Sequence, residues 1–313
     1  MTALLAALAL QQSFNPVEAE YRYSNRGIEA TWRGNEYVLE TAGDPPVPNS
    51  LKTEVENSGY VFKAEKHDLA IYKDGTEVKR YVLGYSRFDT IQPYTDKVVF
   101  GMLSFGKEVY VFACLRTLNH SGVPVGGGEI VRIYAPNPDK IRKGGAPPNL
   151  GRGQPTAAFL GASNDSIYFL CGNESGSVLE VRRTDLSTTV GERLRYYGID
   201  KEGRMWAMRE VDGQMDAKQY VVGRGLVQIR RLPFNPRQTT IASRVGGDLY
   251  FMQRELLYRP SRNAFMQLGL DLGNSHDVWW AAPYLFCTSQ EALEIIDTNR
   301  MKSLGTRLLK KSG

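Results

Sequence analysis

Six polar residues stand where the sequence leaves apolar strands for polar loops: Arg116, His120, Glu174, Arg209, Asp216 and Glu255. Two of those loops read as long, 115–125 and 209–216, and arginines and carboxylates on loops emerging at one face would surround a polar pocket able to hold a sugar or a cation. Their spacing supplies no pair that acid–base catalysis demands, so no catalytic residue is assigned. His67, His120 and His276 lie 53 and 156 residues apart and form neither HxxxH nor HExxH. Cys114, Cys171 and Cys287 include no CxxC pair, no two being closer than 57 positions. The sequence has no Gly-x-Ser-x-Gly elbow and no P-loop. Gly126-Gly-Gly-Glu129 runs into a strand-like stretch, Ile130-Val-Arg-Ile-Tyr134, which offers a phosphate no helix N-terminus. The sequence therefore assigns no metal and no cofactor.

The elements that must position these residues are strands. Helical periodicity is nearly absent beyond the first twelve residues. One phrase recurs: a Gly/Asp/Asn/Ser turn, a strand with an aromatic in it, then a small or sulfur-bearing residue. It reads Gly106-Lys-Glu-Val-Tyr-Val-Phe-Ala-Cys114, Asn164-Asp-Ser-Ile-Tyr-Phe-Leu-Cys171 and Gly203-Arg-Met-Trp-Ala-Met208. It returns as Gly247-Asp-Leu-Tyr-Phe-Met252 and Pro283-Tyr-Leu-Phe-Cys287, with an earlier copy at Gly59-Tyr-Val-Phe-Lys-Ala64. The end-points are 50, 57, 37, 44 and 35 residues apart, and a second and third strand follow each phrase. Repeats of this length with four strands predict the blades of a β-propeller. Ile167, Phe169 and Cys171, alternating with Tyr168 and Leu170, predict strands buried on both faces. The repeated end-point reads as one shared core slot, in which a thiol is a small hydrophobe.

The stretch Leu256-Leu-Tyr-Arg-Pro-Ser-Arg-Asn-Ala-Phe265 resembles the end of a kelch repeat, and Gly246-Gly247 resembles its double glycine. Asp200-Lys-Glu-Gly-Arg-Met-Trp206 is similar to the Asp-x-x-Gly-x-x-Trp phrase of the propellers in bacterial sensor proteins. The sialidase Asp-box, by contrast, needs glycine two residues after Asp, where this phrase has it three after. The expected fold is all-β: a single propeller over residues 13–313 with four-stranded antiparallel blades. Seven blades are expected if 20–41 contributes one, and six if it only completes another.

Charge narrows the partners. Of the net +5, four charges come from Lys302, Arg307, Lys310 and Lys311 in the last twelve residues, which hold no acid. A nucleic-acid-binding face should be a basic stripe across the fold, so nucleic acid is not the expected partner. No apolar run approaches the length of a membrane span. Residues 1–12 read as a signal-peptide-like leader, with an apolar stretch and Ala7-Leu8-Ala9 as a cleavage-type motif but no basic start. That leader predicts export to the periplasm or outside the cell; retention in the cytoplasm is the alternative. The expected role is a monomeric binding or scaffold module that presents loops to a protein, peptide or carbohydrate. The alternative is a hydrolase or lyase acting on a carbohydrate at one end of a central channel, where Ca2+ could take part. Trp32, Trp279 and Trp280 are the aromatics that could stack on a sugar.

Overall fold

The computed structural model describes residues 19–24, 27–41, 47–87, 94–118, 128–144, 156–172, 176–271, 277–288 and 292–308. Among them are 28 strands in six antiparallel sheets, and the one helical element is a 3-10 turn, Pro260–Arg262. Sheet I joins Ala19–Ser24, Gly27–Trp32 and Asn35–Thr41 to Asp277–Ala281, Tyr284–Thr288, Ala292–Asp297 and Lys302–Leu308. Sheet II is Glu54–Asn57, Tyr60–Glu65, Asp68–Lys73 and Thr76–Val82. Sheet III has five strands: Tyr85–Arg87, then Tyr94–Phe105, Glu108–Leu118, Gly128–Tyr134 and Ile141–Gly144. Sheet IV is Thr156–Ala162, Ser166–Gly172, Ser177–Arg182 and Thr188–Val190. Sheet V is Tyr196–Ile199, Met205–Val211, Gln214–Val221 and Gly225–Leu232. Sheet VI is Ile241–Val245, Asp248–Gln253, Leu256–Arg259 and Ala264–Gln267. No helix of the described residues is long and apolar enough to cross a membrane.

Turn chemistry sets several of these hairpins, and it corrects one expectation. Residues 209–216 are not a long loop. They are the close of a hairpin in which Asp212 (φ 52°) and Gly213 (φ 72°) form the turn. Two successive positive φ values match the right-handed twist of the flanking strands, and Asp-Gly is the pair that tolerates them. Gly246 and Gly247 turn sheet VI in the same way, with φ of 55° and 76°. A side chain at Gly246 would also drive its Cβ to 2.6 Å from the Trp280 ring. The expected loop 115–125 begins later than the sequence suggests, because its strand runs on to Leu118. Its remainder, 119–125, lies outside the described residues, as do the leader 1–12 and His276.

The described residues fall into two compact units. One takes those within 1–46, 196–219 and 228–313; the other takes those within 47–195 and 220–227. In the second unit, Phe62, Leu69 and Ile71 of sheet II pack on Val109, Val111 and Ala113 of sheet III. The opposite face of that same sheet III strand sends Tyr110 and Phe112 against Ile167 and Phe169 of sheet IV. The rings of Phe112 and Phe169 meet edge to face at 5.1 Å. In the first unit, Trp206 and Met208 of sheet V pack on Leu249 and Phe251 of sheet VI. Tyr250 and Met252, on the other face of sheet VI, pack on Leu285 and Cys287 of sheet I. Alternate side chains of one strand thus enter two different cores, as the apolar runs predict.

The shared slot needs a correction. Ala64, Cys114, Cys171, Met208, Met252 and Cys287 all lie on the second strand of a four-strand repeat. Cys114, Met208 and Met252 pack toward the following sheet, but Cys171 and Cys287 pack toward the preceding one. Moving one residue along a strand changes the face, and here both faces are buried, so hydrophobicity did not register the slip. Trp32 is likewise core, not a sugar platform: it is buried with Ala30 and Leu39 against Phe286, Leu293 and Ile295. Trp279 and Trp280 are half-buried against the two cores on either side of their strand.

Within each unit a polar staple accompanies every apolar junction described above. The Tyr81 hydroxyl of sheet II donates to the Pro138 carbonyl in the outer turn of sheet III (2.8 Å). Arg132 of sheet III donates to the Arg183 carbonyl in the corresponding turn of sheet IV. Arg204, beside sheet V, reaches the Ser261 carbonyl of sheet VI (3.1 Å). Arg259 of sheet VI reaches the Thr298 carbonyl of sheet I. Arg259 is buried, with its Nε 2.7 Å from Asp248 Oδ2. Removing one partner of such a pair strands the other charge, which costs about 3–5 kcal/mol. Urea unfolding should therefore show Arg259→Ala destabilised by about 3 kcal/mol, and exposed Arg262→Ala by well under that. Equal small losses would remove the staple from the account of stability.

Candidate functional site

Four of the six loop candidates can be placed. Arg116 sits near the end of the second strand of the sheet III repeat, across from Asp96 in register. Arg209 and Asp216 are direct cross-strand partners in sheet V. Asp216 is fully buried and its Oδ1 accepts a hydrogen bond from Arg231 Nε at 3.1 Å, so it serves the sheet rather than an open pocket. Glu255 is exposed in the turn between the second and third strands of sheet VI, next to Arg254, which grips Asp271. His120 and Glu174 lie outside the described residues. Arg116, Arg209, Asp216 and Glu255 lie on second or third strands or in the turn that joins them, at one end of their respective sheets.

An open cavity lies at the other end of sheet III. It measures about 520 Å³ and is lined by Glu108, Arg132, Tyr134, Lys140, Ile141 and Arg142. That is within the roughly 300–1,000 Å³ typical of small-ligand sites. Register builds it. Arg132 is the direct cross-strand partner of both Tyr110 and Arg142, and Glu108 is that of Tyr134, so the rows share one face. The hairpin turn after Tyr134 brings back Lys140, whose Nζ stands 5.7 Å over the Tyr134 ring. Glu108 is the lone acid of the lining and is already engaged. It accepts the Tyr110 hydroxyl at 2.6 Å and Arg183 Nη2 at 3.0 Å, with Arg132 Nη1 at 3.5 Å. Burial first, then Glu108, pushes the Tyr110 phenol up to about 12, so Tyr110 stays a neutral donor. Arg142 is exposed and forms no ion pair among the described residues. Asp139, next to Lys140, is held by Lys79 at 3.0 Å. The arrangement can bind an anion. It offers no nucleophile with an adjacent base, and among the described residues no group of three or more His, Cys, Asp or Glu is placed to hold a metal.

Sequence reasoning missed this cavity because it looked to loops. Two alternations carried the signal: Arg132 with Tyr134, and Lys140 with Arg142, on either side of an Asn-Pro-Asp turn. A period of two on both strands of a hairpin puts such residues on one face.

Other polar groups that attract notice are structural. Asp200 is buried; its Oδ1 accepts the Glu202 and Arg204 amides, and its Oδ2 accepts Trp206 Nε1 at 2.7 Å. The Asp200 to Trp206 phrase is therefore a turn clip, which Arg204 and the Lys201 amide also tie to sheet VI. Missed by sequence reasoning, His67 Nε2 lies 2.6 Å from Asp96 Oδ1, tying a sheet II turn to sheet III. Burial, followed by the nearby Cys114 thiol, pushes the Cys171 thiol up to about 12. Burial also raises Cys287, helped by Glu294. Neither is a thiolate nucleophile at neutral pH.

Comparison with known proteins leaves these conclusions to the geometry. No family model matches the chain, and no curated protein matches it. Apo AztD from Citrobacter koseri is similar at 10% identity and a TM-score of 0.34, over 95% of this chain and 93% of that one. The N-terminal domain of Nup159 is similar at 8% identity and a TM-score of 0.34, over 95% of this chain and 85% of that one. Prolyl oligopeptidase B from Galerina marginata gives 9% identity and a TM-score of 0.33, over 90% of this chain and 45% of that one. Likeness of this degree carries no argument about ligand or activity.

Glu294 yields a pH test. It is buried beside Cys287, and its Oε2 accepts the Gly269 amide at 2.9 Å and the Leu270 amide at 3.2 Å. Burial outweighs those bonds and raises its pKa above the ordinary 4.5. Above that value the unfolded chain loses this proton first, so its contribution to stability falls as pH rises through the folded pKa. Glu294→Gln keeps the acceptor and cannot ionise. Its stability relative to the parent should rise between about pH 4 and about pH 8 in urea unfolding. A flat difference would mean that folded Glu294 ionises like an exposed one.

Proposed function

We propose that the chain is a single β-propeller acting as a binding module, and that its ligand is acidic. The observation that carries the ligand reading is the cavity lined by three cations, Arg132, Lys140 and Arg142, against one already engaged acid. The propeller reading is supported by strands that feed two cores each and by one outer-turn staple per junction. Seven blades fit better than six. The pairing of Asn35–Thr41 with Asp277–Ala281 spans two residue pairs, against five where Asp277–Ala281 meets Tyr284–Thr288. Trp32 and Leu39 also share a buried core with Phe286 and Ile295, the packing expected between adjacent blades.

In this reading the scaffold holds the cavity rigid while a protein, peptide or carbohydrate partner supplies the acidic group. The proposed setting is the periplasm or the cell exterior, with the protein working as a monomer. A labelled oligoglutamate and a labelled oligolysine, titrated with the full chain at low salt, test the ligand's sign by anisotropy. Oligoglutamate should bind, oligolysine should not, and Arg142→Glu should weaken oligoglutamate about tenfold. Unchanged binding by Arg142→Glu would move the ligand elsewhere.

A further inference from the structure

We infer that the sheet III cavity is a site for a compact dianion, the phosphate monoester group of a larger ligand. The inference rests on the acidic-ligand reading and deepens it. Arg132 and Arg142 are directly opposite in register. Residues so placed have Cβ atoms only about 4.5–5.5 Å apart, and like charges there repel. A sheet normally relieves such a pair with a neighbouring carboxylate. Glu108 supplies one such carboxylate, but Arg183 and the Tyr110 hydroxyl share it. Lys140 adds a further cation across Tyr134, and the adjacent Asp139 is committed to Lys79. Counting Glu108 against Arg132, Lys140 and Arg142 leaves the lining an excess of two positive charges, and Arg183, bonded to Glu108 from sheet IV, takes up that one acid.

The geometry favours concentrated charge. Two guanidinium side chains on directly opposed residues of adjacent strands put forked donors within reach of one ligand, and forked donors suit phosphate oxygens. A single carboxylate leaves most of the excess uncompensated, and a dicarboxylate spreads its charges along a chain. Arg132 is also fixed in place, because it donates to the Arg183 carbonyl. Arg142 and Lys140 are exposed and can close on the ligand. The titratable groups of the lining are Glu108, Arg132, Tyr134, Lys140 and Arg142; behind it Tyr110 and Arg183 bond Glu108, and Asp139, next to Lys140, pairs with Lys79. No histidine is among them. Change in binding between about pH 5.5 and about pH 7.5 should therefore come from the ligand, whose second ionisation falls near 6.

The test is calorimetric titration of the full chain at constant ionic strength with glycerol phosphate, sulfate, succinate and acetate. Glycerol phosphate and sulfate should bind at least about tenfold more tightly than acetate or succinate. Glycerol phosphate should tighten severalfold from about pH 5.5 to about pH 7.5, while sulfate, a dianion throughout, stays flat. Arg142→Glu should weaken both by about tenfold or more, and exposed Arg224→Glu should leave both unchanged. Lys140→Gln, which alters no staple, should weaken both to a smaller degree. Sulfate tightening in step with glycerol phosphate would assign the pH effect to the protein and overturn the phosphate assignment. Acetate or succinate binding as tightly as glycerol phosphate and sulfate would overturn the inference while the acidic-ligand reading stands. Binding of none of the four, with oligoglutamate still bound, would also overturn it alone; loss of oligoglutamate binding as well would end both.

Discussion

The organising constraint of this protein is that its inner sheets, III in one unit and VI in the other, are apolar on both faces. A sheet of that kind cannot rest against solvent, and each must be covered twice. Val109 and Val111 enter one core while Tyr110 and Phe112 of the same strand enter another. Leu249 and Phe251, against Tyr250 and Met252, repeat the arrangement in the other unit. Apolar faces alone would let the sheets slide, because dispersion and hydration forces are largely non-directional. The staples remove that freedom. A hydroxyl or guanidinium from one sheet meets a carbonyl in the outer turn of the next, and a hydrogen bond of that type works only at one register.

Binding chemistry grows from the same parts. Arg132 holds the turn of sheet IV with one donor group and lines the cavity with the rest of its guanidinium. Glu108, Arg183 and Tyr110 fix its neighbours, so the innermost wall of the cavity is built before any ligand arrives. A preformed wall reduces the entropy lost on binding. The mobile contribution is left to Lys140 and Arg142, at the rim, where long side chains sample solvent.

Much of the architecture was legible because strands advertise themselves by a period of two and turns by their special residues. The strand character of every repeated phrase and the two strands that follow it come from those signals, whereas the strand before each phrase does not, so the phrase is the second strand of its repeat and not the first. What failed shares a physical origin. Cys171 and Cys287 were assigned the wrong face, because polarity cannot mark a face when both are buried. The Asp212-Gly213 pair announced a tight hairpin, but the polar residues around it read as a loop. Trp32 alternates with Glu29 and Thr31 on a strand whose burial depends on residues 286–295, far along the chain. The cavity stayed hidden for the same reason as the His67 and Asp96 contact: it depends on register, and spacing alone does not give the partner of Arg132.

The pairing of Glu40 with Trp280 joins residues 240 positions apart in one sheet. Contacts of such sequence separation form late, because the chain between them must first be ordered. During synthesis the strands at 27–41 emerge long before the strands at 277–308 that cover Trp32. For that interval a hairpin carrying a large aromatic is left with one face bare and one edge open. Of all the segments in this protein, that hairpin would depend most on a chaperone or on fast completion of the chain.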